Sequence, residues 1–285
     1  MKKLINYLIQ SIIIYLFFFV GLVIGLNLSR KLYAYLFNFL GPILKSKKII
    51  EKNLNIFSRH LDNLNKKKII RNMWRNYGMT FIEYIFLKQI RKKDNHIILK
   101  GEKNLSQIKE SNKPVIFVSG HFANFELMSM EITKHTIPLA TIYRPLNNIF
   151  LNPLMEYLRK KYVCKNQIKK GIKGVREAIE FINKKHCIAL MIDQRVSEGE
   201  KMDFFGEDAL TTTLPAQLSI KYDLDIIPVY IKRLENNNFE IEFLNKIHPN
   251  DFQNKIDLTK KLNVVLEEMI KKNPDQWIWT HDRWK

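Results

Sequence analysis

Cysteine occurs only twice in 285 residues, at Cys164 and Cys187. Neither lies in a paired Cys/His spacing, which excludes a disulfide-stapled scaffold, a zinc finger and a CxxC redox centre; both are read as reduced and structural. No serine sits in a Gly-x-Ser-x-Gly elbow, and neither cysteine lies in a signature with a nearby histidine. A covalent enzyme nucleophile is therefore not indicated. His-Glu-x-x-His is missing too, and His135, His186 and His248 stand in unrelated contexts, so neither a metal nor a cofactor is expected. Acidic residues are scarce, 28 against 47 Lys and Arg, for a formal net charge of +19. Such an excess points to a polyanionic partner or an anionic membrane surface without choosing between them. Repeats and low-complexity linkers are absent, and the length is within reach of one large core with a helical extension.

Against these absences stands one long apolar run. Tyr7 to Leu28 carries no charge, and at about 1.5 Å per residue it can cross a ~30 Å hydrocarbon layer. It exceeds the length of a signal-peptide core and no Ala-x-Ala site follows, so a transmembrane anchor is expected. Lys2 and Lys3 precede the run, whereas Arg30, Lys31, Lys45, Lys47 and Lys48 follow it, which puts the bulk of the chain in the cytoplasm. Leu32 to Leu44 is apolar and aromatic but too short to span; it suits either the interface or a core helix broken at Gly41-Pro42. Residues 46–94 carry apolar positions at helical spacing and predict two or three helices.

From Ile97 the pattern changes. Short apolar runs at 97–99, 115–118, 139–143, 188–192 and 226–231 alternate with helical stretches around 125–135, 150–162, 173–184 and 211–222. This predicts an α/β fold, a mixed, largely parallel sheet flanked by helices. The expected division is a membrane anchor over 1–30, a helical membrane-proximal segment over 31–95 and an α/β domain over 96–285. Sites in such folds gather at the C-terminal ends of strands. Ser119 to Glu126, Arg144 and Asp193-Gln194-Arg195 all fall there.

His121 follows the second run, where Gly120 permits a tight turn and Asn124 is a candidate cap for a helix opening at Phe125. Five residues apart, His121 and Glu126 would point to different faces of a regular helix, so they meet only if the histidine stays on the loop. A carboxylate beside an imidazole fixes its tautomer and leaves the other nitrogen free as a base for a hydroxyl. Lys165, Lys169, Lys170, Lys173 and Arg176 form a basic run with helical spacing, either a solvated face or a surface for an acidic partner. Trp277, Trp279 and Trp284 suit core packing first and interfacial anchoring second.

Taken in order, Gly120-His-x4-Glu126, Tyr143-Arg-Pro145, Asp193-Gln194, Phe204-Phe-Gly206, Thr211-Thr-Thr-x-Pro215, Ile227-Pro-Val-Tyr230 and the ending from Asn273 to Lys285 resemble the late acyltransferases of lipid A biosynthesis. These are the lauroyl- and myristoyl-transferring group within the glycerolipid acyltransferase superfamily, and the resemblance covers nearly the whole chain. It implies transfer of a fatty acyl group from acyl carrier protein to a hydroxyl of a lipid A precursor at the inner membrane. His121 would be the base, on the strand-to-helix turn facing Arg144 and Asp193, with Glu126 its orienting carboxylate and Arg144, Asp193 and Gln194 substrate-binding residues. After Asp193 the chain reads Gln-Arg-Val-Ser-Glu-Gly where lauroyl-transferring members have a His-Asp-Tyr-Gly type run, which leaves the exact acceptor open. Two alternatives remain: an acyltransferase for another lipid, such as a lysophospholipid or an amino-acid-derived lipid, and a non-catalytic basic protein tethered to the membrane. No nucleic-acid partner is expected, because no nucleic-acid motif is present.

Overall fold

The computed structural model of the chain describes residues 2–93 and 96–285. The boundary expected near residue 95 falls at Asp94 and Asn95, outside the described residues. Helix α1 (Lys2–Leu44) consists of two arms. At Gly25 the backbone takes φ 77° and ψ 169°, a conformation open to glycine and costly for other residues. Beyond it the chain doubles back. The Ser29 hydroxyl donates to the Gly21 carbonyl at 2.9 Å, and the rings of Phe17 and Tyr33 meet edge-on at 5.7 Å. On a straight helix those two residues, 16 positions apart, would be separated by about 24 Å. The break at Gly41-Pro42, one of the two readings of this stretch, is not seen, since the helix continues through Pro42. Gly41 instead admits the Trp74 indole, whose ring would lie 2.2 Å from a Cβ placed there.

Three helices follow, α2 (Lys47–Phe57), α3 (Asn63–Glu83) and α4 (Leu87–Lys92). Asp62 caps α3 by accepting from Asn65 N at 2.7 Å. The last residue of α3, Glu83, is fully buried. It accepts from Arg30 Nε at 2.6 Å, from both Nη atoms of Arg233 at 2.5 and 3.0 Å, and from Asn124 Nδ2 at 2.8 Å. Burial alone would raise this carboxyl, but the two guanidinium groups hold it below the usual carboxylate range. One side chain thus ties α1, α3, the sheet and the turn after His121 together.

The α/β part runs β1 (Ile97–Lys100), α5 (Glu102–Ser111), β2 (Ile116–Ser119), α6 (Glu126–Lys134), β3 (Leu139–Tyr143), α7 (Asn152–Tyr162), β4 (Asn166–Lys169), α8 (Ile172–Asn183) and β5 (Cys187–Met191). It continues with the hairpin β6 (Glu200–Phe204) and β7 (Glu207–Thr211), then α9 (Leu214–Tyr222), β8 (Ile226–Arg233), β9 (Phe239–Phe243) and α10 (Lys255–Lys272). The main sheet has the order β1-β9-β8-β2-β5-β3-β4. Pairing is parallel from β8 across to β4, and antiparallel only between β8 and β9. The expected mixed, largely parallel sheet is therefore present. Its central strands are apolar on both faces: β2 is buried along its length, and Ile188, Ala189 and Ile226 have no exposure.

The basic run differs from its expected helical form. Asn166 to Lys169 pairs with β3 as the edge strand of the sheet, and the helix starts only after Gly171, at φ 133°. Helical spacing in 165–176 is the accidental result of a strand, a turn and a first helical turn in succession. Cys164 and Cys187 are buried free thiols.

Candidate active site

Strands β2 and β5 are neighbours, with Ser119 opposite Met191 and Ile192 N bonded to the Ser119 carbonyl at 2.9 Å. Both run in the same direction, so the residues just beyond their C-terminal ends emerge side by side. These residues are Gly120-His121 and Asp193. Nδ1 of His121 lies 2.8 Å from Asp193 Oδ1, and the His121 backbone N–H donates to Oδ2 at 2.7 Å. Asp193 has no exposure, whereas about 20 % of the His121 side chain is open. Trp277 Nε1 donates to Asp193 Oδ2 at 2.9 Å. Burial would push the Asp193 carboxyl up, but His121 and the indole N–H outweigh it and hold it below the usual carboxylate range.

A carboxylate can only accept, so the proton between the two side chains belongs to Nδ1 of His121. The Nε2 lone pair is left for chemistry. The structure thus brings His121 and Asp193 together, with the carboxylate fixing the orientation of the imidazole. A Cβ at position 120 would come within 2.8 Å of the Phe122 ring and 3.2 Å of Asp193 Oδ2. Gly120 therefore lets the Phe122 ring and the carboxylate pack closely against this turn.

Left-handed backbone occurs two residues past the histidine, at Ala123 with φ 45°. That turn is fastened on two sides: Thr80 Oγ1 donates to the Ala123 carbonyl at 2.9 Å, and Ala123 N donates to the Gln276 carbonyl at 3.0 Å. Asn124 does not cap the next helix with its side chain, because its amide is turned to Glu83.

Glu126 opens α6 but does not orient His121. Its Oε1 accepts from Arg159 Nε at 2.7 Å and from the Tyr84 hydroxyl at 2.6 Å, and Arg159 Nη2 also reaches the Tyr84 oxygen at 3.0 Å. Arg159 comes from α7 and lies over the Tyr143 ring, 5.6 Å from its centroid. Two reasons favour this pairing: α7 brings a guanidinium to a buried carboxylate, and Asp193 already occupies the Nδ1 side of the imidazole. Burial raises the Tyr84 hydroxyl pKa strongly, so it stays protonated as a donor.

Arg144 leaves the end of β3, separated from β2 by β5 alone, and is exposed. It has no part in holding Asp193, whose partners are His121 and Trp277. Lys170 follows β4 beside it, with its backbone N on the Tyr143 carbonyl at 2.9 Å. Burial and then the Arg144 charge lower the Lys170 ammonium pKa, the mark of two cations facing each other. Gln194 is half-buried, one residue past Asp193.

Two contributors lay outside the sequence-based set. Trp277, expected to pack, both packs and donates to Asp193. His281 lies close enough to feel the charges of Asp193 and His121, and its Nε2 accepts from Arg195 N at 2.9 Å. Burial first, with the His121 charge, lowers its pKa and keeps it neutral. Only their place in the C-terminal motif pointed toward them.

A solved structure similar to the chain is the 1-acyl-sn-glycerophosphate (LPA) acyltransferase PlsC from Thermotoga maritima, 14 % identical, with a TM-score of 0.43 over 89 % of this chain and 100 % of that one. In sequence the chain is 25 % identical over 260 residues to the lipid A biosynthesis palmitoleoyltransferase of Escherichia coli (strain K12). It is equally similar to the lipid A biosynthesis acyltransferase of Shigella flexneri. Each match covers 86 % of this chain and 80 % of the relative. The profile of one family spans residues 1–285 in full, and the chain belongs to that family, the bacterial lipid A biosynthesis acyltransferases.

Proposed function

We propose that the chain moves a fatty acyl group from an acyl carrier protein thioester to a hydroxyl of a lipid A precursor, at the cytoplasmic face of the inner membrane. The observation that carries this reading is the His121–Asp193 pair, with Nδ1 engaged and Nε2 free. Nε2 takes the proton of the acceptor hydroxyl as its oxygen attacks the thioester carbonyl carbon. The tetrahedral intermediate collapses by breaking the C–S bond, and the imidazolium returns the proton to the departing thiolate. Asp193 stabilises the imidazolium between these steps, and Trp277 holds the carboxylate still.

Arg144 and Lys170 supply positive charge two and three strands from the base, suited to an anionic group on the acceptor. Gln194 lines the acceptor side. Glu126 supports the site from behind: tied to Arg159 and Tyr84, it fixes the start of α6 and the turn that carries His121. Its carboxylate also sits favourably at the positive end of that helix.

The test is acyl transfer by purified protein from acyl carrier protein to a tetra-acylated lipid A precursor, with lysophosphatidic acid as the competing acceptor. His121→Ala is expected to lower turnover on the lipid A precursor by roughly 10²- to 10⁴-fold. Retained turnover, or transfer to lysophosphatidic acid alone, contradicts the proposal.

A further inference from the structure

The loop from Arg144 to Leu151, between β3 and α7, is tied to the first arm of α1. Asn148, itself 9 % exposed, is the knot. Its Nδ2 donates to the Tyr7 carbonyl at 2.8 Å, and its Oδ1 lies 2.9 Å from the Ser11 hydroxyl. The same oxygen accepts from the backbone N–H groups of Phe150 and Leu151 at 3.0 and 3.2 Å. Tyr15 donates to the Phe150 carbonyl at 2.8 Å. Farther along the arm, Phe18 packs on Phe81 with ring centroids 5.0 Å apart, and a Cβ at Gly21 would meet Ile82 at 2.6 Å.

The α/β domain and α3 therefore flank the arm from Tyr7 to Gly21, a length of about 21 Å. An arm crossing a ~30 Å hydrocarbon layer would carry those flanking residues into the layer with it. The loop cannot stretch to avoid this, because Asn148 is only four residues past Arg144, at most about 14 Å of extended chain. Yet the arm's other side is apolar and open, with Leu16 57 % and Val23 70 % exposed. The loop adds Ile149, 57 % exposed, to that apolar surface. Two of its backbone N–H groups, those of Phe150 and Leu151, are met internally by Asn148, in the direction that lipid contact demands. Charge agrees: Lys2 and Lys3 before the arm and the exposed Lys31 after it favour keeping both ends on one side.

We propose that the first arm lies within the leaflet nearest the domain instead of crossing the bilayer. The loop around Ile149 is seated in that same leaflet, beside Arg144, as the entry for the lipid acceptor. This rests on the reading of the protein as a membrane acyltransferase, but its test does not depend on turnover.

The full chain is reconstituted in vesicles of phosphatidylethanolamine and phosphatidylglycerol, with an environment-sensitive dye on Leu16→Cys, Ile149→Cys or Ile98→Cys. The native thiols are buried, and all three positions are exposed. Depth is read by lipids carrying quenchers at different chain positions, and water access by iodide. The expected result is lipid quenching at one shared shallow depth for Leu16 and Ile149, with loss of iodide quenching at both. Ile98, on the far edge strand, is expected to be quenched by iodide alone. A Leu16 label at the bilayer midplane, or an Ile149 label open to iodide, overturns the proposal. A failed transferase reading would appear in the turnover assay and leave these depths unchanged.

Discussion

Asp193 places one carboxylate oxygen 2.8 Å from Nδ1 of His121 and the other 2.7 Å from the same residue's backbone nitrogen. Seventy-two positions of sequence separate them, and the parallel pairing of β2 with β5 closes that gap. A carboxylate gripping both ring and backbone fixes the imidazole's rotation as well as its tautomer, which is what separates a base from a merely nearby histidine.

Glu126 and Arg159 are expected to act as one unit. Removing either leaves a buried charge without its partner, a loss of about 3–5 kcal/mol. Glu126→Gln and Arg159→Met should lower the melting temperature and turnover alike, and the double variant should be little worse than either single one. If Glu126 instead acted directly on the imidazole, Arg159→Met would leave turnover nearly intact while Glu126→Gln abolished it.

Ala123 pays for its left-handed backbone, which costs a residue with a Cβ roughly 1–2 kcal/mol. Ala123→Gly should therefore stabilise the protein by about 1 kcal/mol in denaturant titration, since Thr80 and Gln276 still hold the turn. Destabilisation would mean that the turn is not strained.

Acid should weaken the protein through two buried carboxylates. Glu83 and Asp193 both sit below their ordinary values in the fold. A depressed carboxylate contributes stability that is fully present above its unfolded value, about 3.9 for Asp and 4.3 for Glu. That contribution is lost as pH falls through the folded value. On account of these two groups the melting temperature should stay level from neutrality to about pH 5 and decline below about pH 4. Glu83→Gln should remove its share of the decline while lowering stability at pH 7, because it strands Arg30 and Arg233. A variant with an unchanged acid limb would contradict this.

Much of the fold was legible because it is written in local pattern. The runs at 115–118, 139–143 and 188–192 became β2, β3 and β5, and the helical stretches became α6 to α9 within a few residues. β9 was missed although Phe239, Ile241 and Phe243 alternate with glutamates, a period-two signal that its short length hid. The fold-back at Gly25 was hidden for another reason. Of the two glycines in the apolar run, Gly21 and Gly25, nothing in the sequence marks which one breaks it until another segment packs against both arms.

In the site, His121, Arg144, Asp193 and Gln194 are legible at strand ends, and His121 on its turn facing Arg144 and Asp193, but the direct bond from His121 to Asp193 is not. Spacing reports neighbours along a chain, so it joined His121 to Glu126. The sheet order, which spacing does not encode, joined it to Asp193 instead. Trp277 was hidden by the same limit, since an indole that packs and an indole that also donates look alike in sequence.

The central claim is that Asp193 makes His121 the base. Its most direct measurement is the single-turnover rate of acyl transfer for Asp193→Asn, which keeps the size of the side chain and removes its charge, with melting temperature recorded in parallel. The account predicts a fall of roughly 10²- to 10⁴-fold, with the protein still folded and still bound to membranes. A folded Asp193→Asn protein that transfers acyl groups within a few-fold of the native rate would contradict it.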